Sequence, residues 1–444
     1  MAEQVNEQLL EELIEWLRIP SISSGGGDPA DLQRAAEWAA NKIQKAGGEA
    51  EVVATETNPL VIGELRAARS DAPTVMIYGH YDVQSADPLD AWESPPFQPQ
   101  VRNGRLYGRG TADDKGNFFP LLHVACEMAQ NGELPVNVRV IIEGEEEVGG
   151  DSAANWVIAD ERGADCAIIF DSEMLDEETP AICLGVRGIV TASLTVRTGR
   201  ANLHSGLYGG AVLNALHVLH NMLAQVLPGP DGKLRKELRV GVVPPSPEEI
   251  ESWKSLPSPA QLFEDAGGRP IHAASADTYY EQNWSDASLD VSGIDGGDAH
   301  QLRTIIPVEA HARLNMRLAP SQDFKAMKAE LERLLMSAAP ENADVEFSAH
   351  GEAGAVFDAA SPAIQLASEA LTEACGTETV LIGSGGSIGA LAGFARRGIP
   401  CVLTGFTLVD DALHAPNESY RLESLRLGEK SARLLYEKLA TLKS

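Results

Sequence analysis

Apolar residues recur at three- and four-residue intervals from Glu7 to Leu17, and again from Leu32 to Ala46 before the turn Gly47-Gly48. That period predicts two helices, each packing one face on a core. Short apolar runs come next, Leu60 to Leu65, Thr74 to Tyr78, Val138 to Ile142 and Ala167 to Phe170, and they read as buried strands. Helical stretches such as Phe118 to Ala129 separate them, which predicts an α/β sheet covered by helices. After Leu184 the period changes, because Ile189 to Val196 alternates apolar and polar positions like a half-exposed strand. A helix from about Ala211 to Leu227, a strand around Val308 to Leu318, a helix near Phe324 to Met336 and a last strand from Val345 to Ser348 follow it. This order suggests a small open sheet with helices on one face, an α+β domain inserted into the larger one. Pro228 to Pro270 reads as irregular, and Pro228 to Asp298 is the least patterned segment. From Ala359 the α/β texture resumes. The expected fold class is therefore α/β, a mixed sheet flanked by helices, with residues 1–184 and 358–444 in one domain and 185–357 in the insertion.

At 444 residues two domains are the first expectation, each with enough core to be held by burial. The balance of 65 acidic against 35 basic side chains gives a formal charge of −30, which repels phosphate backbones and anionic lipid. Neither nucleic acid nor a membrane is an expected partner, and most of the carboxylates read as a solvated surface. The five cysteines, Cys126, Cys166, Cys183, Cys375 and Cys401, are scattered and read as reduced core thiols, which agrees with a cytoplasmic setting. The N-terminal stretch is acidic and amphipathic, so no secretion signal is expected, and no run of about eighteen apolar residues is present.

Chemistry gathers where apolar runs end. The run Thr74 to Tyr78 empties into Gly79-His80-Tyr81-Asp82, which puts an imidazole and a carboxylate on one face at a strand's C-terminal end, where open α/β sheets bind ligands. Asp82 could hold the imidazole's tautomer while the other nitrogen binds metal; a surface histidine beside a carboxylate is the blander reading. Asp113 and Asp114 are adjacent carboxylates in a loop bracketed by Gly108, Gly110 and Gly116, and a cation relieves their repulsion. A polar turn feeding the next helix would explain the loop equally well. Val138 to Ile142 ends in Glu143-Gly144-Glu145-Glu146-Glu147, and adjacent glutamates can divide the roles of metal ligand and proton acceptor. Asp171 follows a fourth apolar run, and His414-Ala415-Pro416-Asn417-Glu418 follows a fifth.

Taken together, GHYDVQ, WESPPFQPQVRNGRLYGRGTADDKG, EGEEEVGG, the Asp171 strand end, NLHSGLYGG and LHAPNE make the chain resemble the dinuclear zinc metallopeptidase family of carnosine and Cys-Gly dipeptidases, aminoacylase and glutamate carboxypeptidase, closest to its dipeptidase branch. The resemblance covers nearly the whole chain. It implies a zinc-exopeptidase-like fold with a lid and dimerisation domain, two divalent metal ions per chain, and hydrolysis of the amide bond of dipeptides with a free carboxylate. By it, Asp113 bridges the ions, His80 and Asp171 complete one site, and Glu147 and His414 the other. Zn²⁺ suits these donors, and Mn²⁺ or Co²⁺ fits them too. Ions about 3.5–4 Å apart would hold a hydroxide and polarise the scissile carbonyl. Glu146 would be the general base, with His204 stabilising the oxyanion across a homodimer. Arg317 would clamp the substrate carboxylate, with Thr304 and the loop Gly385-Gly386-Ser387 nearby. An aspartate at position 171 accompanies dipeptidases in this family. Gly383-Ser384 and Ser361-Pro362-Ala363 depart from the pattern of carnosine dipeptidase, so carnosine itself is not the expected substrate. The competing readings are an N-acyl- or N-succinyl-amino-acid amidohydrolase or carboxypeptidase of the same family, a dinuclear phosphoesterase, and a non-catalytic binding relative. Arg317 argues against the phosphoesterase, and the full set of ligands with Glu146 argues against the binding relative.

Overall fold

The computed structural model describes residues 5–265, 267–298, 300–386 and 388–442. The chain divides into two compact units. One comprises the residues up to Leu184, Phe357–Ile382 and the chain from Ile388 on; the other comprises Gly185–Val356 with 383–386.

The first unit is built on a mixed sheet. Its strands run in the spatial order Glu49–Val53, Leu60–Leu65, Asn137–Glu143, Thr74–His80, Cys166–Phe170, Cys401–Thr404 and Ala181–Val186. Four of these, Asn137–Glu143, Thr74–His80, Cys166–Phe170 and Cys401–Thr404, are mutually parallel neighbours. Their C-terminal ends therefore line one edge, and each is almost wholly buried along its length, as the continuous apolar runs require. The helices begin where side chains can take the first free amides. Asn6 accepts from Gln8 N at 3.0 Å and opens Glu7–Leu17, while Asp28 with Pro29 opens Pro29–Lys45. Trp16 stacks on Trp38 with ring centroids 5.3 Å apart and tilts against Phe118 and Phe119 of the helix Lys115–Gln130, so three helices share one aromatic core.

The second unit holds a four-stranded antiparallel sheet in the order Ser288–Gly296, Glu309–Leu318, Gly188–Arg197, Asp344–Glu352. Helices Ala215–Leu223 and Phe324–Met336 bury their apolar faces on it. Two features differ from the sequence reading. The helix expected over Ala211 to Leu227 is confined to Ala215–Leu223, because the Asn214 side chain takes the amides of Leu216 and His217 and sets the start there. The segment Pro228 to Pro270, expected to be irregular, contains the short helices Pro247–Ser252 and Pro259–Asp265, and the rest of the least patterned segment holds the helix Tyr279–Trp284 and the edge strand Ser288–Gly296. That strand is exposed over most of its second half and its register shifts between Val291 and Gly293, so it shows no clean alternation. No helix among the described residues is long and apolar enough to cross a membrane. The five cysteines are free, four of them buried.

Candidate functional site

His80 ends the central strand, and its ring is fully buried. Nδ1 lies 3.0 Å from the Asp82 backbone carbonyl and 3.4 Å from that residue's carboxylate, so the carbonyl is the nearer orienting group. Nε2 meets Asp113 Oδ1 at 3.1 Å. The other Asp113 oxygen meets His414 Nε2 at 2.9 Å, and the same imidazole nitrogen lies 3.1 Å from Glu147 Oε2. Two groups of potential ligands therefore share Asp113. In each of them, His80, Asp113 and Asp171 or Asp113, Glu147 and His414, the donor atoms lie within 4.8 Å of one another. Glu146 starts the one-turn helix Glu146–Val148 beside Glu147.

The electrostatics are those of an acid-rich pocket. Burial pushes the Asp171 carboxyl up, and Asp113 and Glu147 add repulsion. Burial likewise raises Glu146, opposed by His80 and reinforced by Asp171 and Asp113. The histidines respond in kind. Asp113 and Glu147 push His414 up to about 10, and at His80 the hydrogen bonds to Asp113 and Asp82 outweigh burial, which acts the other way. The buried Asp114 Oδ1 has no hydrogen-bond partner among the described residues, and Asp82 Oδ1 has only His80 Nδ1 at 3.4 Å, an arrangement that native proteins rarely keep without a ligand or ion.

The loop carrying Asp113 is held by residues that the motif reading left without a role. Glu418 is completely buried; Oε1 accepts from Ala112 N at 2.8 Å and Asp113 N at 3.2 Å, and Oε2 accepts from Gly110 N at 3.0 Å and Arg109 Nη1 at 2.7 Å. Arg109 also donates to Ser85 O at 3.0 Å. Lys115 is buried too and donates to Ile19 O at 3.0 Å, and burial lowers its ammonium to about 7. The four glutamates after Val138 to Ile142 divide as well. Glu143 bonds the Tyr78 hydroxyl, and Glu145 accepts from Ser152 N at 2.7 Å and from Thr57 Oγ1. Glu147 accepts from Gln84 at 3.0 Å, and its own amide donates to Asp82 Oδ2 at 3.2 Å.

The other candidate residues belong to the second unit. His204 caps the short helix Ser205–Tyr208, and its Nδ1 accepts from Gly206 N at 3.0 Å. A neutral ring in this pose carries its proton on Nε2 and presents a donor to solvent. Thr304 is exposed beside it, its carbonyl accepting from Ser205 N at 2.9 Å. Arg317 lies in the strand Glu309–Leu318. Gly386 N already donates to Ser384 Oγ at 3.0 Å, so that amide is not free to receive a carboxylate in this pose. Ser387 lies outside the described residues.

The sequence pattern of Peptidase family M20/M25/M40 matches residues 76–438. The chain belongs to this family. It is a metal-dependent peptidase-type hydrolase, as its relatives are. The M20-family chain is 26% identical over 446 residues to a cysteinylglycine-S-conjugate dipeptidase of Corynebacterium striatum, across 97% of this chain and 96% of that one. It is 28% identical over 354 residues to human Beta-Ala-His dipeptidase, across 74% and 69% of the two. Among solved structures, an M20 family metallo-carboxypeptidase from Sulfolobus solfataricus superposes with a TM-score of 0.89 at 26% identity, covering 98% of this chain and all of that one. The di-peptidase Dug1p of Saccharomyces cerevisiae superposes at 0.80 with 22% identity over 98% and 96%, a likeness of fold alone. The family and the mixed α/β fold expected from the sequence are thereby borne out.

Proposed function

We propose that this M20-family enzyme hydrolyses the amide bond of dipeptides with a free C-terminal carboxylate, using two divalent metal ions. The observation that carries this reading is Asp113, whose two oxygens face two different imidazoles, His80 at 3.1 Å and His414 at 2.9 Å. One carboxylate thus belongs to two donor sets, each completed by a further carboxylate, Asp171 or Glu147.

The residues fit such a pair of ions. Each set offers one imidazole and two carboxylates without a thiolate, a mixture that suits Zn²⁺ and accommodates Mn²⁺ or Co²⁺. The crowded carboxylates and the Asp114 oxygen without a hydrogen bond call for positive charge. Two divalent ions bound there would polarise the scissile carbonyl and acidify water. In the reaction Glu146 takes a proton from the attacking water and returns it to the leaving amine. Asp82 and its carbonyl fix the His80 ring. His204 donates from Nε2 to the developing oxyanion, which we assign to a homodimer joined through the second unit. Arg317 holds the carboxylate end of the substrate, with Thr304 and the Gly385 loop close to that end, and the second unit serves as lid. We place the enzyme in the cytoplasm, where free buried thiols persist. The dipeptidase names of two relatives support the substrate class.

A second reading, carboxypeptidase or N-acyl-amino-acid hydrolase, is favoured by the likeness to the Sulfolobus solfataricus metallo-carboxypeptidase. One assay separates the two. Metal-stripped enzyme is reloaded with Zn²⁺, Mn²⁺ or Co²⁺ and offered free-amine dipeptides, N-acetyl and N-succinyl amino acids, and longer peptides. Two ions per chain by elemental analysis and metal-dependent cleavage of dipeptides are expected. Cleavage confined to acylated amino acids or longer peptides supports the second reading, and no metal-dependent cleavage of any compound refutes both.

A further inference from the structure

At one end of the four-stranded sheet the register sets Ser288 opposite Arg317, Arg317 opposite Ile189, and Ile189 opposite Glu352. Residues paired in this way point to the same face. Their neighbours along the strands, Leu289, Met316, Leu318 and Val190, belong to the core under the two helices, so the row lies on the opposite face. Arg187, which precedes the strand Gly188–Arg197, brings its guanidinium to this row. Nη1 donates to Ser288 Oγ at 3.2 Å, Nη2 to Asn283 Oδ1 at 3.1 Å and Nε to Gly385 O at 3.4 Å.

All three acceptors are neutral, although Arg187 is only 7% exposed. No ion pair to Arg187 or to Arg317 occurs among the described residues. The charges acting on Arg187 include Arg317, which with burial brings the guanidinium down to about 10, while Asp290 and Asp286 act the other way. Asp286 is itself taken by Arg239, at 2.9 and 2.7 Å. Glu352 acts on Arg317. A buried cation without a contacting anion is costly, and a like charge beside it adds to the cost. The surrounding backbone is nevertheless fitted closely to Arg187. A Cβ at Gly385 would lie 2.9 Å from Asn283 Oδ1 and 3.2 Å from Arg187 Nη2, and one at Gly383 would lie 2.8 Å from Trp284. Glycine at both positions lets this loop close on the guanidinium and on the helix Tyr279–Trp284. Three of the five N–H donors of Arg187 are engaged, which leaves two for a ligand.

We propose that Arg187 is a second carboxylate-binding residue, set beside Arg317 so that two guanidiniums grip the free carboxylate of the substrate. This deepens the reading of Arg317 given above and rests on it. Two paired N–H forks recognise a planar carboxylate far better than an amide or ester of the same size, so the pair selects for an unblocked C-terminus.

The test uses the metal-loaded enzyme, a dipeptide and its C-terminal amide, with the competitive inhibition constant replacing KM wherever turnover is slow. Arg187→Met is expected to raise KM for the free acid about tenfold or more, to leave kcat within a few-fold, and to leave the amide unchanged. Arg187→Lys keeps the charge and loses the fork, so it should fall between wild type and Arg187→Met; it also serves alone if Arg187→Met does not fold. An unchanged KM for the acid, or equal changes for acid and amide, overturns the proposal. If Arg317→Ala raises KM for the acid while both Arg187 variants do not, only the role of Arg187 falls. If wild type does not distinguish acid from amide, the Arg317 clamp falls and this proposal with it.

Discussion

The loop around Asp113 and the corner around Arg187 are both regions where buried charge is left unmatched by protein, and they are unmatched with opposite sign. Around Asp113 the excess is anionic, with carboxylates crowded together and Asp114 leaving a buried oxygen without a hydrogen bond. Around Arg187 the excess is cationic, a buried guanidinium meeting only neutral oxygens. Since such charge is expensive to leave uncompensated, each region implies a ligand of the opposite sign, divalent cations in the first and a carboxylate in the second.

Three experiments sharpen or break that contrast. The largest effect is expected from Glu146→Gln, which removes the proton acceptor and keeps all five proposed ligands. kcat should drop by roughly 10²–10⁴-fold while elemental analysis still finds about two metal ions per chain; turnover near wild type would strip Glu146 of its role. Next comes Glu418→Ala, which leaves the Arg109 guanidinium without its buried carboxylate and frees the amides of Gly110, Ala112 and Asp113. Breaking a buried pair in this way costs about 3–5 kcal/mol, read as a lowered denaturation midpoint together with weaker metal retention. An unshifted midpoint would show that the loop is fixed by other means.

The smallest effect belongs to a place where charges are already matched. Glu12 accepts from His123 Nδ1 at 2.9 Å and pairs with Lys42, and despite burial these bonds lower its carboxyl from 4.5 to about 2. A folded value below the unfolded one means that the unfolded chain takes up the proton first. The stabilisation is therefore complete above about pH 4.5 and fades as pH falls towards 2. Glu12 is partly exposed, so solvent screening keeps the effect small. Glu12→Gln should lower stability slightly at neutral pH, with the difference from wild type vanishing as pH falls towards 2, so that the acid limb of a stability–pH profile flattens; an identical profile would remove Glu12 from that account.

What could be read from sequence followed from locality. Apolar runs that empty into His80, Glu147 and Asp171 are visible because strand and ligand are contiguous, and the parallel order then gathers their ends at one edge. That Asp113 would face both His80 and His414 came from resemblance, since nothing local links residues some three hundred positions apart. Glu418 had no legible role for the same reason, because its partners are amides of a loop distant in the chain. Arg187 is a single basic residue at a strand entrance, and its lack of a counter-ion exists only once Ser288, Asn283 and Gly385 are in place. The strand Ser288–Gly296 escaped because its exposure and shifted register erase the two-residue period.

The strand Cys401–Thr404 lies between Cys166–Phe170 and Ala181–Val186, and this placement bears on birth rather than catalysis. As the ribosome makes the chain, the strands on either side emerge long before the one that must sit between them, and Glu418 follows later still. The nascent protein thus carries an open slot in its main sheet until residues 401–404 are made and a slack Asp113 loop until Glu418 follows, so a chain stalled or truncated before residue 401 can hold neither the finished sheet nor a working hydrolase.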